Sequence, residues 1–309
     1  MSKSPAERRS AALRRFGMSI TALTVLGHTV LGFEQAYLTP VVAALAALAA
    51  EIVLESVEAA VERRRPRYLG KPGAVVDFLL PAYITGIACA MLLFADDRFM
   101  PTVLAAVAGV ATKYVFRVRV GGKLRHVLNP SNAGIVLVLL LFPWVGIAPP
   151  YEFTEWVTGA WGAVVPALLL IAGTMLNAQL TGKIPLILGW VGGFLAQAVL
   201  RTLITDISLV SAVLPVTGTA FVLFTNYMIT DPGTTPSSRR GQVLFGLATA
   251  AVYGVLVQFH VVFGLFFALT ITCVLRAVVL VVAARRSPQW NVLVPAPRAE
   301  MPVQAREPA

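Results

Sequence analysis

VVFGLFFALTITCVLRAVVLVVAA, residues 261–284, is an apolar run broken by one charge, Arg276. An apolar helix of roughly 20 residues crosses the ~30 Å hydrocarbon core of a bilayer. Lipid offers no hydrogen-bond partners, so such a run must satisfy its own backbone as a helix. Upstream, similar runs occupy approximately 16–34, 38–60, 73–95, 99–115, 130–149, 159–179, 184–204, 209–230 and 241–259. Composition agrees: 57% hydrophobic and 13% charged residues, against about 25% charged in soluble domains. The expected fold is all-α, a polytopic membrane protein of about ten transmembrane helices. The expected domains are a basic cytoplasmic N-terminus (1–15), a transmembrane domain (16–286) and a Pro-rich disordered cytoplasmic tail (287–309).

The basic residues orient these helices. Of 25 Lys and Arg, 22 fall before the first run, after the even-numbered runs or in the tail. Arg98 and Arg201 lie at the other side, and Arg276 lies within a run. The positive-inside rule then puts both termini in the cytoplasm. A rival count of nine, with 241–284 as one kinked span, would strand the C-terminal basic residues outside. The first run is too long for a signal peptide and lacks a small-residue cleavage site, so it reads as a retained helix. The +10 charge is explained by topology and contact with anionic lipid, not by a nucleic-acid face. The expected location is a membrane crossed many times, with both termini on its cytoplasmic side.

Ten runs divide into five and five, and an odd number per half inverts one half against the other. Inverted repeats place ligand or ion paths near their junction. Several polar residues stand where hydrocarbon makes them expensive. Asn129-Pro130-Ser131-Asn132 opens the fifth run. Asn and Ser cap helices and Pro suits the first helical position, and a free helix N-terminus also attracts anions. Asn226, Asp231 and Thr234 fall in the dense stretch 225–236, whose Asp231-Pro232-Gly233 is a turn signal. Thr217 and Thr219 suggest a polar stripe turned inward, though such residues also serve helix packing. Glu51, Glu55 and Glu58 share one helix face; each would cost about 2.5–3.5 kcal/mol at bilayer depth. They read either as a helix end paired with Arg63–Arg67 or as an ion or proton path of Glu51 and Glu55, led by Glu51 as the deepest. Arg276 needs a partner, for which Asp77 is the candidate. Cys89 and Cys273 read as small buried hydrophobes. No catalytic or metal-binding signature is present.

Asn129-Pro130-Ser131-Asn132-Ala133-Gly134, followed about a hundred residues on by Thr230-Asp231-Pro232, resembles the RnfD/NqrB family. These are membrane subunits of bacterial flavin-dependent electron-transport complexes. The closer resemblance is to the UnbU-type membrane proteins encoded in enediyne biosynthetic clusters. It is carried by residues 149–155, 173–177, 180–183, 227–236 and 260–265, within 16–286. The resemblance implies ten helices in two inverted five-helix halves. It also implies an accessory electron-transfer or transport subunit of enediyne biosynthesis in the bacterial cytoplasmic membrane, with other membrane or redox subunits and pathway proteins as partners. A permease or channel for a small molecule or ion, or a scaffold for pathway enzymes, is the alternative. In RnfD and NqrB an FMN is joined through its phosphate to the Thr of a Ser-Gly-Ala-Thr motif. Here the corresponding loop reads Thr158-Gly159-Ala160-Trp161, and indole cannot form a phosphoester. Covalent FMN is therefore not expected. Whether a flavin binds is left open; any FMN or riboflavin would be held noncovalently, stacked on Trp156 or Trp161.

Overall fold

The computed structural model describes residues 5–30, 32–96, 98–120, 123–148, 158–180 and 182–285. The tail expected at 287–309 and the Trp156 loop lie outside them. About 75% of the described residues are helical, and helices fall within all ten apolar runs, two short ones in the eighth. In chain order these are α1 (Pro5–Thr29), α2 (Thr39–Val61), α3 (Pro72–Leu92), α4 (Phe99–Val115), α5 (Pro130–Leu141), α6 (Trp161–Leu180), α7 (Ile184–Ile204), the short α8 (Leu209–Val213) and α9 (Thr219–Leu223), α10 (Arg239–Gln258) and α11 (Gly264–Arg285). Pro40, Pro72, Pro130 and Pro185 sit in first turns, where the missing N–H costs nothing. Asn129, Ser208 and Ser238 cap α5, α8 and α10 through their side-chain oxygens.

Among the described residues, α2, α3, α7, α10 and α11 are long and apolar enough to cross a membrane, and the bent pair 209–217 with 220–228 makes a sixth when counted as one span. Their outward faces are apolar: Leu45, Leu203 and Val279 are 62%, 77% and 65% exposed. A helix exterior of this kind suits lipid rather than water. Helix α4, helix α5 and the stretch 164–175 are apolar but shorter.

The structure corrects three boundaries. Helix α1 begins at Pro5, inside the segment expected to precede the first span. The fifth helix stops at Leu141 rather than 149, because Pro143 supplies no N–H to continue it. The eighth run is not one helix. It turns through a tight 3-10 segment at Leu214–Thr217, becomes extended at Gly218 and resumes as α9 and a π-type turn, Phe224–Met228. The two arms are bent by 69°.

Two short antiparallel ribbons accompany the helices. The pair β1 (Leu93–Phe94) and β4 (Gly146–Ile147) ties the end of α3 to the loop after α5. The pair β2 (Arg117–Val120) and β3 (Lys123–His126) forms a hairpin between α4 and α5, with Arg117 opposite His126.

Small residues let the helices touch. A Cβ on Gly134 would lie 2.0 Å from the Ala105 carbonyl oxygen, so α5 and α4 meet backbone to backbone. A Cβ on Gly246 would lie 2.5 Å from the Leu186 oxygen, and α10 meets α7 in the same way. Close approach through glycine is how membrane helices gain dispersion energy where no hydrophobic effect drives them together. Around the α7–α10 contact, Trp190 packs on Phe224 at 4.9 Å and Phe194 on Phe221 at 4.8 Å between ring centres. This aromatic core fixes the broken eighth segment against α7.

Candidate functional site

Polar side chains converge where the N-terminus of α5 meets the turn after the π-type segment. Asn129 caps α5: its Oδ1 accepts from the Asn132 N–H at 2.9 Å and from the Ser131 hydroxyl at 3.0 Å. Its Nδ2 donates to the Met228 carbonyl at 3.1 Å, fastening α5 to the second half of the chain. Asn132 is buried and donates to the Phe266 carbonyl at 3.0 Å and to the Thr270 hydroxyl at 2.8 Å, both on α11. The Asn132 and Ala133 N–H groups at the end of α5 are thus taken by Asn129, while the Asn132 side-chain oxygen is buried with no hydrogen-bond partner among the described residues.

Asp231 organises the adjoining turn. Its carboxylate accepts from the Gly233 N–H at 3.1 Å and the Thr234 hydroxyl at 3.0 Å. His126, at the end of β3, reaches it across the sheet-to-turn gap, Nε2 to Oδ2 at 3.1 Å. A Cβ on Gly233 would lie 2.1 Å from the His126 ring, so a residue without a side chain there admits the imidazole. Burial pushes the Asp231 carboxyl up, but the hydrogen bonds from His126, Gly233 and Thr234 outweigh it and hold it below the ordinary carboxylate range.

Two further cations close the turn. Lys183, only 5% exposed, donates to the Pro236 carbonyl at 2.8 Å. Burial pushes its ammonium down to about 8, against the upward pull of Asp231, and Arg276 and Arg125 add to the lowering. Arg276 donates to the Thr234 carbonyl at 2.7 Å. The expected Arg276–Asp77 pair does not form. Asp77 instead accepts from Arg14 at 2.7 Å and Ser10 at 2.6 Å, because α1 packs along α3 at that level. A backbone carbonyl serves Arg276 in place of the acidic partner that its charge suggested.

The remaining residues fall at separate places. Asn226 lies buried in the π-type turn, its Oδ1 3.3 Å from the Thr174 hydroxyl of α6. Its backbone oxygen takes the Thr230 hydroxyl at 2.7 Å, so it abuts the Asp231 turn. The neighbouring Thr225 accepts from the Trp190 indole N–H at 2.9 Å. Thr217 is half-buried and turns its hydroxyl back to Leu214, apart from the Asp231 cluster, and the Thr219 side chain lies outside what is described. Glu51 and Glu55 lie on α2, where Glu51 shares a cavity wall with His126. Glu51 pairs with Lys113 at 2.5 Å and with the Tyr114 hydroxyl at 3.1 Å. Glu55 is fully buried and holds Arg64 and Arg67, each at 2.5 Å.

Trp161 is 63% exposed at the first turn of α6, beside the exposed Thr158. An indole has no hydroxyl to esterify, so the group at this position does not fit phosphoester attachment of a flavin. His126, Lys183 and Thr270 were not singled out from the sequence. Lys183 carried a usable signal, a lone cation in the short joint between two apolar runs. His126 carried none, since its partner lies 105 residues away.

No family model matches the chain, and no curated protein matches it.

Proposed function

We propose that this chain is an integral membrane subunit of RnfD/NqrB-like architecture, with ten spans in two inverted five-helix halves. It acts in the bacterial cytoplasmic membrane as an accessory electron-transfer or transport subunit of an enediyne pathway, without covalent FMN. Support for the inverted halves comes from the packing order. In the first half α1 lies on α3, α2 on α4, and α4 on α5; in the second α6 lies on the broken eighth segment, α7 on α10, and α10 on α11. Numbered by span, the neighbours 1·3, 2·4 and 4·5 recur as 6·8, 7·9 and 9·10.

The observation that carries the functional reading is the break at Gly218 followed by the π-type turn at Phe224–Met228. Discontinuous helices frame substrate and ion sites in transporters, because unwound backbone is tolerated only where protein or a cavity covers it. Here the break leads directly into buried Thr225 and Asn226 and then the Asp231 turn. Between the two versions of the role, this favours transport. Partners would be other membrane or redox subunits and soluble pathway enzymes, with the basic loops facing them.

Flavin content tests the redox version. Protein expressed with its cluster neighbours and a flavin transferase, purified in detergent, should release any flavin on acid precipitation. Fluorescence retained on the denatured chain would refute the Trp161 argument. The absence of flavin under every condition would remove the redox role. Flux in proteoliposomes tests transport. Asn132→Ala and Asp231→Ala should each abolish it, and unchanged flux in both would take these residues out of the path.

A further inference from the structure

At the end of the bundle where the basic residues collect, a cavity of about 630 Å³ opens between the C-terminal turn of α2, the loop after it, the end of α4 and the β2–β3 hairpin. Its walls carry five cations, Arg64, Arg65, Arg67, Lys113 and Arg117, against two carboxylates, Glu51 and Glu58. The α2 carboxylates are already committed. Glu55, behind the wall, takes Arg64 and Arg67. Glu58 takes Arg64 at 3.1 Å, Arg67 at 3.2 Å and also Arg117. Glu51 takes Lys113. Glu62 reaches Arg64 from the solvent side and is screened there.

Positive charge is thus in surplus, and the paired guanidinium groups of Arg117 and Arg67 are fixed in orientation. The Arg117 guanidinium lies over the Tyr114 ring at 4.9 Å, and that of Arg67 over Phe78 at 4.9 Å. Stacking of this kind fixes the plane of the donor fork. The Arg65 side chain makes no hydrogen bond or ion pair among the described residues; only its backbone carbonyl is engaged, accepting from Arg64. Guanidinium forks match the oxygens of phosphate and bind them with two parallel hydrogen bonds. Leu124 lines the same cavity and is 56% exposed, and Val115 and Phe116 beside Arg117 are 68% and 52% exposed. A cationic cavity with an apolar collar fits a headgroup whose chains continue into hydrocarbon.

We propose that this cavity binds a phosphate-bearing anion, with Arg65 and Arg117 as its principal ligands. The anion is a lipid phosphodiester or a free phosphate. This goes beyond the transport or redox role and does not depend on it.

The test uses the full chain reconstituted in phosphatidylcholine with a minor share of phosphatidylglycerol, extracted gently and read by native mass spectrometry. A second arm titrates inorganic phosphate into delipidated protein by calorimetry. Wild type, Arg65→Gln, Arg117→Gln and Arg15→Gln are compared, the last as a cation outside the cavity. Arg65→Gln breaks no contact and should melt with wild type, which keeps the test independent of folding. Selective retention of phosphatidylglycerol that falls about fivefold in Arg65→Gln, but not in Arg15→Gln, supports the site with lipid as its source. Heat from phosphate that disappears in the same variant supports it with a soluble source. Retention that Arg65→Gln and Arg117→Gln leave unchanged overturns the assignment. So does the absence of both lipid selectivity and phosphate heat.

Discussion

His126 Nε2 and the Asp231 carboxylate meet at 3.1 Å although 105 residues separate them. The contact joins the hairpin between α4 and α5 to the turn that follows the broken eighth segment. Other long-range bonds lie near it among the described residues: Asn129 to Met228, Asn132 to Phe266 and to Thr270, and Ser19 to Tyr227. A movement of one half against the other must break or drag this knot.

Asp231→Ala removes the acceptor for His126, Thr234 and the Gly233 N–H together. It also withdraws the negative charge nearest Lys183. The expected cost is about 3 kcal/mol, read as a lower thermal midpoint in detergent. Asp231→Asn, which keeps one acceptor oxygen, should lose less. Equal losses would mean that charge, not hydrogen bonding, is what the turn needs.

Lys183 makes stability depend on pH with a defined sign. Its folded pKa of about 8 lies below the 10.5 of a free lysine, so between these values the unfolded chain binds more protons. Stability from this residue therefore rises with pH across that window, and the penalty of burying its charge is fully present below about 8. Relative to Lys183→Gln, wild type should gain thermal stability from pH 8 to 10.5. A constant difference would show that the ammonium is better solvated than its burial indicates.

Trp190→Phe keeps the ring packing on Phe194, Phe221 and Phe224 but deletes the indole bond to Thr225. A loss of about 1 kcal/mol is expected. Trp190→Ala should cost about 3–5 kcal/mol through the cavity it leaves. Chemical denaturation in mixed micelles would separate the two.

Gly134→Ala should act as a wedge between α4 and α5, since its Cβ would press on the Ala105 oxygen. Overpacking of this kind costs about 1–3 kcal/mol. Gly192→Ala on α7, where a Cβ meets nothing within 4 Å, should be neutral or slightly stabilising. If both variants melt alike, the α4–α5 contact is looser than its geometry implies.

The helices were legible in the sequence because the demand of lipid is local: a run of apolar residues must be helical wherever it lies. Helices α4 and α7 begin and end where hydropathy places them, at 99–115 and 184–204. The cap at Asn129 and the turn at Asp231 were legible for a similar reason, since each uses neighbours within a few residues. The break in the eighth run had a signal, Pro215 and Gly218, that hydropathy averaged away. The partners of polar groups were not legible. Arg276 settled on the Thr234 carbonyl and Asp77 on Arg14, because charge alone does not say which element packs beside which. The sequence by itself determined which stretches are helical and apolar. Only the tertiary structure decided that His126, Asp231, Lys183 and Arg276 share one turn, since that depends on contacts between elements far apart in the chain.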